Sequence, residues 1–319
     1  MHCGADVSQT RLAAARAWWG WLILASCLAV PTASALAAEA SAAESPLAED
    51  DAASVAAAES ALDRRLAGER EAAQTRFAIS THKPNYLLLS YNTRANDRFE
   101  ALDPEEIKFQ LSLKVSLADD VLGGDIAFAY TQLSFWQAFN SDISSPFRES
   151  NYEPEIMWRW VRPRRGDTLY NRAVVLGLVH QSNGRSEPLS RSWNRIYLSL
   201  IFEYQNFFVS VKPWYRIPED EKTSPSDTSG DDNPDISDYM GYGEVTAMWA
   251  KDKHRVGLML RNNLNSGENR GAVQLDWSYA VGDKVQLYVQ YFNGYGESLI
   301  DYKHSVNRIG VGLMLNNWL

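Results

Sequence analysis

The 319-residue chain has only two cysteines, Cys3 and Cys27. Both lie in a leader-like N-terminal stretch, so the mature chain would carry no thiol, and disulfides, cysteine nucleophiles and cysteine metal sites are excluded. Past the leader no run of 18 apolar residues occurs, which leaves no segment for a transmembrane helix. Positive charge is in deficit: 31 Lys and Arg against 40 Asp and Glu give a net charge of −9. A general nucleic-acid binder needs a basic face to meet phosphates, so no nucleic-acid partner is expected. Mean hydropathy is −0.34. None of these deficits excludes a membrane β-barrel, which hides its polar residues inside.

The leader spans residues 1–37. Arg11 and Arg16 precede an apolar run from Trp18 to Val30. Ala33-Ser34-Ala35-Leu36-Ala37 follows, with the small residues that signal peptidase requires, and cleavage is expected near Ala35 or Ala37. Leu24-Ala25-Ser26-Cys27 offers a lipoprotein alternative. Against it, Cys27 is followed by apolar Leu28, Ala29 and Val30 rather than a polar mature start. Residues 38–83 read as an acidic, Ala-rich extension with little apolar area to bury. Within it, Ala53 to Arg76 can form a helix that docks weakly, and no chemistry is assigned to it.

From residue 84 the pattern has period two. Ile107, Phe109, Leu111, Leu113, Val115 and Leu117 alternate with Lys108, Gln110, Ser112, Lys114 and Ser116. The same alternation runs through Val256–Arg261, Val273–Val281, Val285–Phe292 and Ile309–Leu315, as in strands with one apolar and one polar face. A soluble sandwich would also alternate. Three features favour a membrane: strands of about nine or more residues, 11 Trp and 15 Tyr gathered near strand ends, and connections that alternate short and long. Asp119–Gly123, Pro163–Asp167, Gln205–Asn206, Lys251–Lys253 and Gly282–Asp283 are short. Thr93–Pro104, Asn140–Ser150, Gln181–Arg191, Ile217–Ile236, Asn262–Arg270 and Asn293–His304 are long. The expectation is an all-β fold: a closed antiparallel transmembrane β-barrel of about 12 strands over residues 84–319, with periplasmic turns and outer loops. The chain ends Asn317-Trp318-Leu319, with its aromatic residue penultimate rather than last.

One hairpin concentrates chemistry. Val174, Leu176, Leu178, His180 and Ser182 share a strand face, and Ser192, Asn194, Ile196, Leu198 and Leu200 share the next. A hairpin centred near Glu187 sets His180 opposite Asn194, with Ser182 one diagonal step away and about 5 Å between paired side chains. A serine hydroxyl needs an imidazole to take its proton, and an Asn carbonyl can fix the imidazole's tautomer without adding charge. Ser182 is the candidate nucleophile, His180 its base and Asn194 the orienting group. Leu176, Leu178, Ile196 and Leu198 would face lipid, whereas Arg195, Tyr197 and Ser199 would face the lumen. The three polar groups therefore sit on the outer wall, where substrate would arrive sideways from the membrane. His-x-Ser also arises by chance, so a solvated loop stays open as the alternative.

The hairpin resembles a known family. His180-Gln181-Ser182-Asn183-Gly184-Arg185-Ser186 followed by Ser190-Arg191-Ser192-Trp193-Asn194-Arg195 is similar to the active-site region of outer membrane phospholipase A. Ser144–Glu149 with Asn151–Pro154, Lys212–Tyr215, Asp231–Asp235 and Gly294–Tyr302 fit the same family, and the resemblance covers about residues 84–319. It implies a twelve-stranded outer-membrane barrel hydrolysing acyl esters of phospholipids and lysophospholipids, with its active site toward the outer leaflet. It also implies a calcium requirement and a calcium-promoted homodimer. By motif position the calcium ligands would be the Ser190 hydroxyl, the Arg185 backbone carbonyl and a carbonyl from Ser144 of the partner subunit. Asp232 is implicated in calcium binding by the monomer. Hard oxygen ligands of this kind suit calcium. Gln181 and Glu187 depart from the family, which often has Asp at both places. Two other classes remain in view. One is a passive porin or binding barrel whose lumen residues Lys108, Gln110, Lys114, Arg255, Arg261 and Asp276 line a pore or cross-link into a plug. The other is a structural assembly protein.

Overall fold

The computed structural model describes residues 60–73, 79–94, 102–144, 146–163, 168–224, 227, 229–282 and 284–315. The leader, its lipoprotein alternative, the extension up to residue 59 and the C-terminal Trp318-Leu319 lie outside them.

A helix, α1 (Ala61–Ala73), is followed by thirteen strands: β1 (Ile79–Thr81), β2 (Tyr86–Asn92), β3 (Glu105–Val121), β4 (Gly124–Trp136), β5 (Phe147–Val161), β6 (Tyr170–Ser182), β7 (Ser192–Tyr204), β8 (Phe207–Ile217), β9 (Gly243–Lys251), β10 (His254–Asn262), β11 (Gly271–Ala280), β12 (Val285–Tyr295) and β13 (Ser305–Leu315). A five-residue helix, α2 (Ile236–Met240), interrupts the β8–β9 loop. Each barrel strand pairs antiparallel with its sequence neighbour, and β13 returns to β2 to close the ring. β1 and β2 both pair with β3, at Val115–Leu113 and Gln110–Glu105 respectively. They are two pieces of one stave, broken at His82–Asn85, so the barrel has twelve staves. The break contains Pro84, which has no N–H to give the ladder.

Alternation decides which way each side chain points. Leu87, Leu89, Leu111, Leu113, Leu176, Leu178, Ile196, Leu198, Val273, Leu275, Ile309 and Val311 are all exposed on the outer wall. That belt has no reason to face water and every reason to face hydrocarbon. Aromatic residues gather at both rims: Trp158 and Trp160 (4.4 Å between rings), with Trp277 and Tyr279, at the short-turn end, and Trp136 stacked on Phe147 at the long-loop end.

The lumen is a cross-linked interior. Arg148 Nε donates to Glu106 (2.6 Å), Arg308 reaches Glu106 (2.8 Å) and Glu297 (2.9 Å), and Lys108 donates to Glu297 (2.9 Å) and Gln290 (2.6 Å). Asp276 accepts from Tyr288, Gln274 and Gln290. Gln110 donates to the Pro84 carbonyl, and Arg261 to those of Tyr295 and Gly296. Lys108, Gln110, Arg261 and Asp276 thus cross-link the interior.

The N-terminal helix departs from expectation. Its described span is Ala61–Ala73, and it is firmly docked. Ser60 caps it by accepting from the Asp63 N–H (3.1 Å). Glu69 receives Lys114 (2.5 Å), Arg65 (3.0 Å) and Arg159 (2.8 Å), and Asp63 pairs with Arg172. Ala61 and Leu62 also pack against Phe208 and Met248, but much of the contact between helix and lumen is charged, so a search for hydrophobic periodicity undervalues it.

Candidate active site

Strands β6 and β7 are rich in β-branched and bulky residues that suit a pleated surface. Their ladder sets His180 opposite Asn194, Ser182 opposite Ser192 and Gly177 opposite Tyr197. The Tyr197 ring lies over Gly177, where a Cβ would collide with it. The Tyr197 hydroxyl donates to Glu155 (2.7 Å), which also pairs with His82 (2.7 Å). Lumen-side packing of this kind locks the register that faces the outer wall.

On that wall His180 is exposed, and Ser182 and Asn194 are half-buried. His180 Nδ1 lies 2.9 Å from Asn194 Oδ1. Exposed Leu176 and Leu178 precede His180 on the same face, and Ile196 and Leu198 follow Asn194. Gln181, between His180 and Ser182, points inward and accepts from Trp193 Nε1 (2.8 Å) and Arg195 Nη2 (3.3 Å). Its amide oxygen serves these donors without the charge an Asp would add.

Beyond Ser182 the chain turns through Asn183, whose buried amide staples the loop. Its Oδ1 accepts from the Arg185 and Arg191 N–H groups and its Nδ2 donates to the Leu189 carbonyl. Gly184 follows at φ +63°, a left-handed turn that glycine adopts without strain.

The residues expected to hold calcium are only partly gathered. Ser190 Oγ donates to Asp232 Oδ2 (2.5 Å), and Ser192 Oγ lies 3.4 Å from the same oxygen. Lys222 Nζ sits 2.6 Å from Asp232 Oδ1 and also pairs with Glu187. Burial raises the Asp232 carboxyl, but Lys222 and the Ser190 hydroxyl outweigh it and hold the group below the usual range. Arg185 turns its side chain the other way, to Glu149 (3.2 Å) and the Phe147 and Arg148 carbonyls, which ties the hairpin loop to β5. Ser144 stands apart, exposed on the β4–β5 loop at φ +56°. Among the described residues no cluster of three His, Cys, Asp or Glu could hold a metal. Any calcium here would rest on hydroxyl, carbonyl and single carboxylate oxygens.

One partner of the site was not anticipated. Asn194 Nδ2 donates to Glu219 Oε1 (3.1 Å). Asn194 pairs across the next ladder with Ile217, two residues before Glu219. The tight Gln205–Asn206 turn contains that register in the sequence.

The comparisons agree with this geometry. The family model for Phospholipase A1 matches residues 62–315, which takes in α1 and nearly all of the barrel. Phospholipase A1 of Escherichia coli K12 is 40% identical over 250 residues, covering 76% of this chain and 82% of the relative. The corresponding protein of Klebsiella pneumoniae is 39% identical over 250 residues, covering 76% and 83%. Among solved structures, an active-site Asn-to-Ala mutant of E. coli outer membrane phospholipase A superposes with a TM-score of 0.69 at 36% identity, covering 78% of this chain and 96% of that one. A Salmonella typhi outer membrane phospholipase dimer with bound calcium gives 0.69 at 38% identity, with the same coverages. The sheet, the hairpin and these relatives lead to one assignment: the chain belongs to the phospholipase A1 family.

Proposed function

We propose that this protein is a calcium-dependent outer-membrane phospholipase that hydrolyses acyl esters of phospholipids and lysophospholipids through Ser182, His180 and Asn194. The observation that carries the reading is the 2.9 Å contact between His180 Nδ1 and Asn194 Oδ1 on the lipid-facing wall, on the same face as Ser182. An amide oxygen can only accept, so His180 must present N–H at Nδ1 and a lone pair at Nε2. Nε2 then takes the Ser182 proton as Oγ attacks the acyl carbonyl. It returns that proton to the departing lysophospholipid oxygen. Water, activated by the same nitrogen, releases the fatty acid from the acyl-enzyme.

In the dimer, Ser190 Oγ, the Arg185 backbone carbonyl and Ser144 of the partner subunit are the hard oxygen donors that would hold calcium, and Asp232 is the donor for calcium in the monomer. When bound, calcium supplies positive charge beside the tetrahedral oxyanion. The Salmonella typhi relative, a dimer with calcium, supports the ion and the homodimer. The E. coli active-site mutant, an Asn-to-Ala change, supports Asn194. With short turns periplasmic and long loops outside, the site lies toward the outer leaflet. Residues 1–37 serve as the leader that export requires.

The test is hydrolysis of phospholipid in mixed micelles by the refolded protein, with calcium or a chelator. Ser182→Ala should abolish ester cleavage while the barrel still folds, and chelation should silence the wild type. Full activity in Ser182→Ala would remove the nucleophile from the mechanism.

A further inference from the structure

The Asn194 amide has two ends, and each has a different partner. Oδ1 faces His180 at 2.9 Å and Nδ2 faces Glu219 at 3.1 Å. The three side chains come from β6, from β7 and from the residues just past β8, in one row across adjacent staves. A carboxylate has no N–H, so the end of the amide that meets Glu219 must be its NH2. That choice turns Oδ1 toward His180 and leaves no alternative orientation of equal energy. Glu219 thus determines which way the amide lies, and the amide determines which imidazole nitrogen carries the proton.

The same row addresses a weakness of an Asn in this position. An amide orients the imidazole but brings no negative charge to the imidazolium that forms when Ser182 is deprotonated. The carboxylate stands one amide away, and a hydrogen bond from Nδ2 polarises the amide so that Oδ1 becomes more negative. Both effects favour the imidazolium in the transition state more than the neutral ring in the ground state, which is the condition for acceleration.

We infer that Glu219 is a positioning residue of the active site, holding the Asn194 amide in its productive orientation and lending through it the negative charge that the amide lacks. This deepens the Ser182–His180–Asn194 reading and rests on it. Glu219 is half-buried and lies outside the strands. Burial and the carboxylates of Asp231 and Asp232 raise its carboxyl, against the Asn194 hydrogen bond and Arg216. Those are also the charged groups whose own titration must be separated from that of Glu219.

The discriminating variant is Glu219→Gln, whose side-chain oxygen still accepts from Asn194 Nδ2 but carries no charge. It is measured with the wild type, Asn194→Ala, the Asn194→Ala/Glu219→Gln double variant and Ser182→Ala, all at saturating calcium on a short-chain phosphatidylcholine. Expected for Glu219→Gln are an unchanged KM, a kcat lower by about tenfold, as for a lost charge-assisted hydrogen bond, and an acid limb of the kcat/KM–pH profile moved to lower pH. In the double variant the second substitution should cost little more, because Glu219 acts through Asn194. Wild-type kcat and pH profile in Glu219→Gln would overturn the inference. So would a Glu219→Gln loss that persists in full on the Asn194→Ala background. Activity surviving in Ser182→Ala would instead overturn the underlying reading, and the two failures are told apart by which variant stays active.

Discussion

The lumen and the β6–β7 wall both place polar groups away from bulk water, and they do it to opposite ends. In the lumen Glu106, Glu297, Asp301, Arg148, Lys108 and Arg308 are each less than a tenth exposed and neutralise one another through ion pairs. On the wall His180 is exposed among leucines, and among the described residues its side-chain partner is Asn194. Charges satisfied on every side build rigidity, because breaking any one strands the rest. A sparse polar row at the lipid face, with Glu219 as its one carboxylate, leaves His180 open to substrate, and it is tolerable there only if substrate comes to meet it. Stability should therefore reside inside the barrel and activity on its outside, with little traffic between them.

The sharpest break of that division is at His180. His180→Ala should lose at least ~10³-fold in kcat with an unchanged unfolding midpoint, read by ester hydrolysis and thermal melting in the same detergent. Glu106→Ala should do the reverse. It takes one carboxylate from both Arg148 and Arg308, which keep only Asp301 and Glu297 respectively, and should cost up to about 3–5 kcal/mol, seen in the denaturant midpoint, while the folded fraction keeps its kcat. A Glu106→Ala protein of normal stability and lost activity would erase the distinction.

A smaller effect is expected where helix and lumen meet. Burial raises the Glu69 carboxyl, but Lys114, Arg65 and Arg159 hold it well below the usual carboxylate range. A depressed folded value means the stabilisation is complete above the unfolded pKa near 4.3. It is lost only as pH falls through the lower folded value. Glu69→Gln should remove about 1.5–3 kcal/mol at neutral pH and flatten the acid dependence of the melting midpoint. The smallest effect is expected on the lipid side. Ile196→Ala exchanges one apolar surface for another, and since lipid tails are as apolar as the side chain it replaces, stability should change by less than about 0.5 kcal/mol. A calcium-dependent dimer built on this wall would weaken, which cross-linking with and without calcium would reveal.

The barrel was legible because its physics is local. Period-two alternation from Ile107 onward gives the faces, and the short–long rhythm of connections gives closure. His180 opposite Asn194 follows from one loop centre, as the ladder has it. Helix α1 was harder to read. Its partners Lys114, Arg159 and Arg172 lie far along the chain, and an Ala- and Glu-rich segment looks alike whether docked or free. Glu219 was hidden in an acidic loop whose other charges, Glu221 and Asp231 among them, carry the same composition signal. Only tracing the register across a second hairpin, through Asn194 and Ile217, singles it out. Ser144 shows a different limit: it stands exposed on the β4–β5 loop, and the role proposed for it in a partner subunit leaves no contact within one chain from which to read it.

The position of Ser182 at the last residue of β6 has one further consequence. If Ser182 is the nucleophile proposed above, it is fixed to a rigid stave and cannot travel to its ester, so its height above the leucine belt is set once, when the barrel folds. The bilayer must bring the carbonyl to that level. Lipid thickness thereby becomes a coordinate of the reaction, and a membrane whose ester plane rides higher or lower is a poorer substrate even when every headgroup and chain is chemically the same.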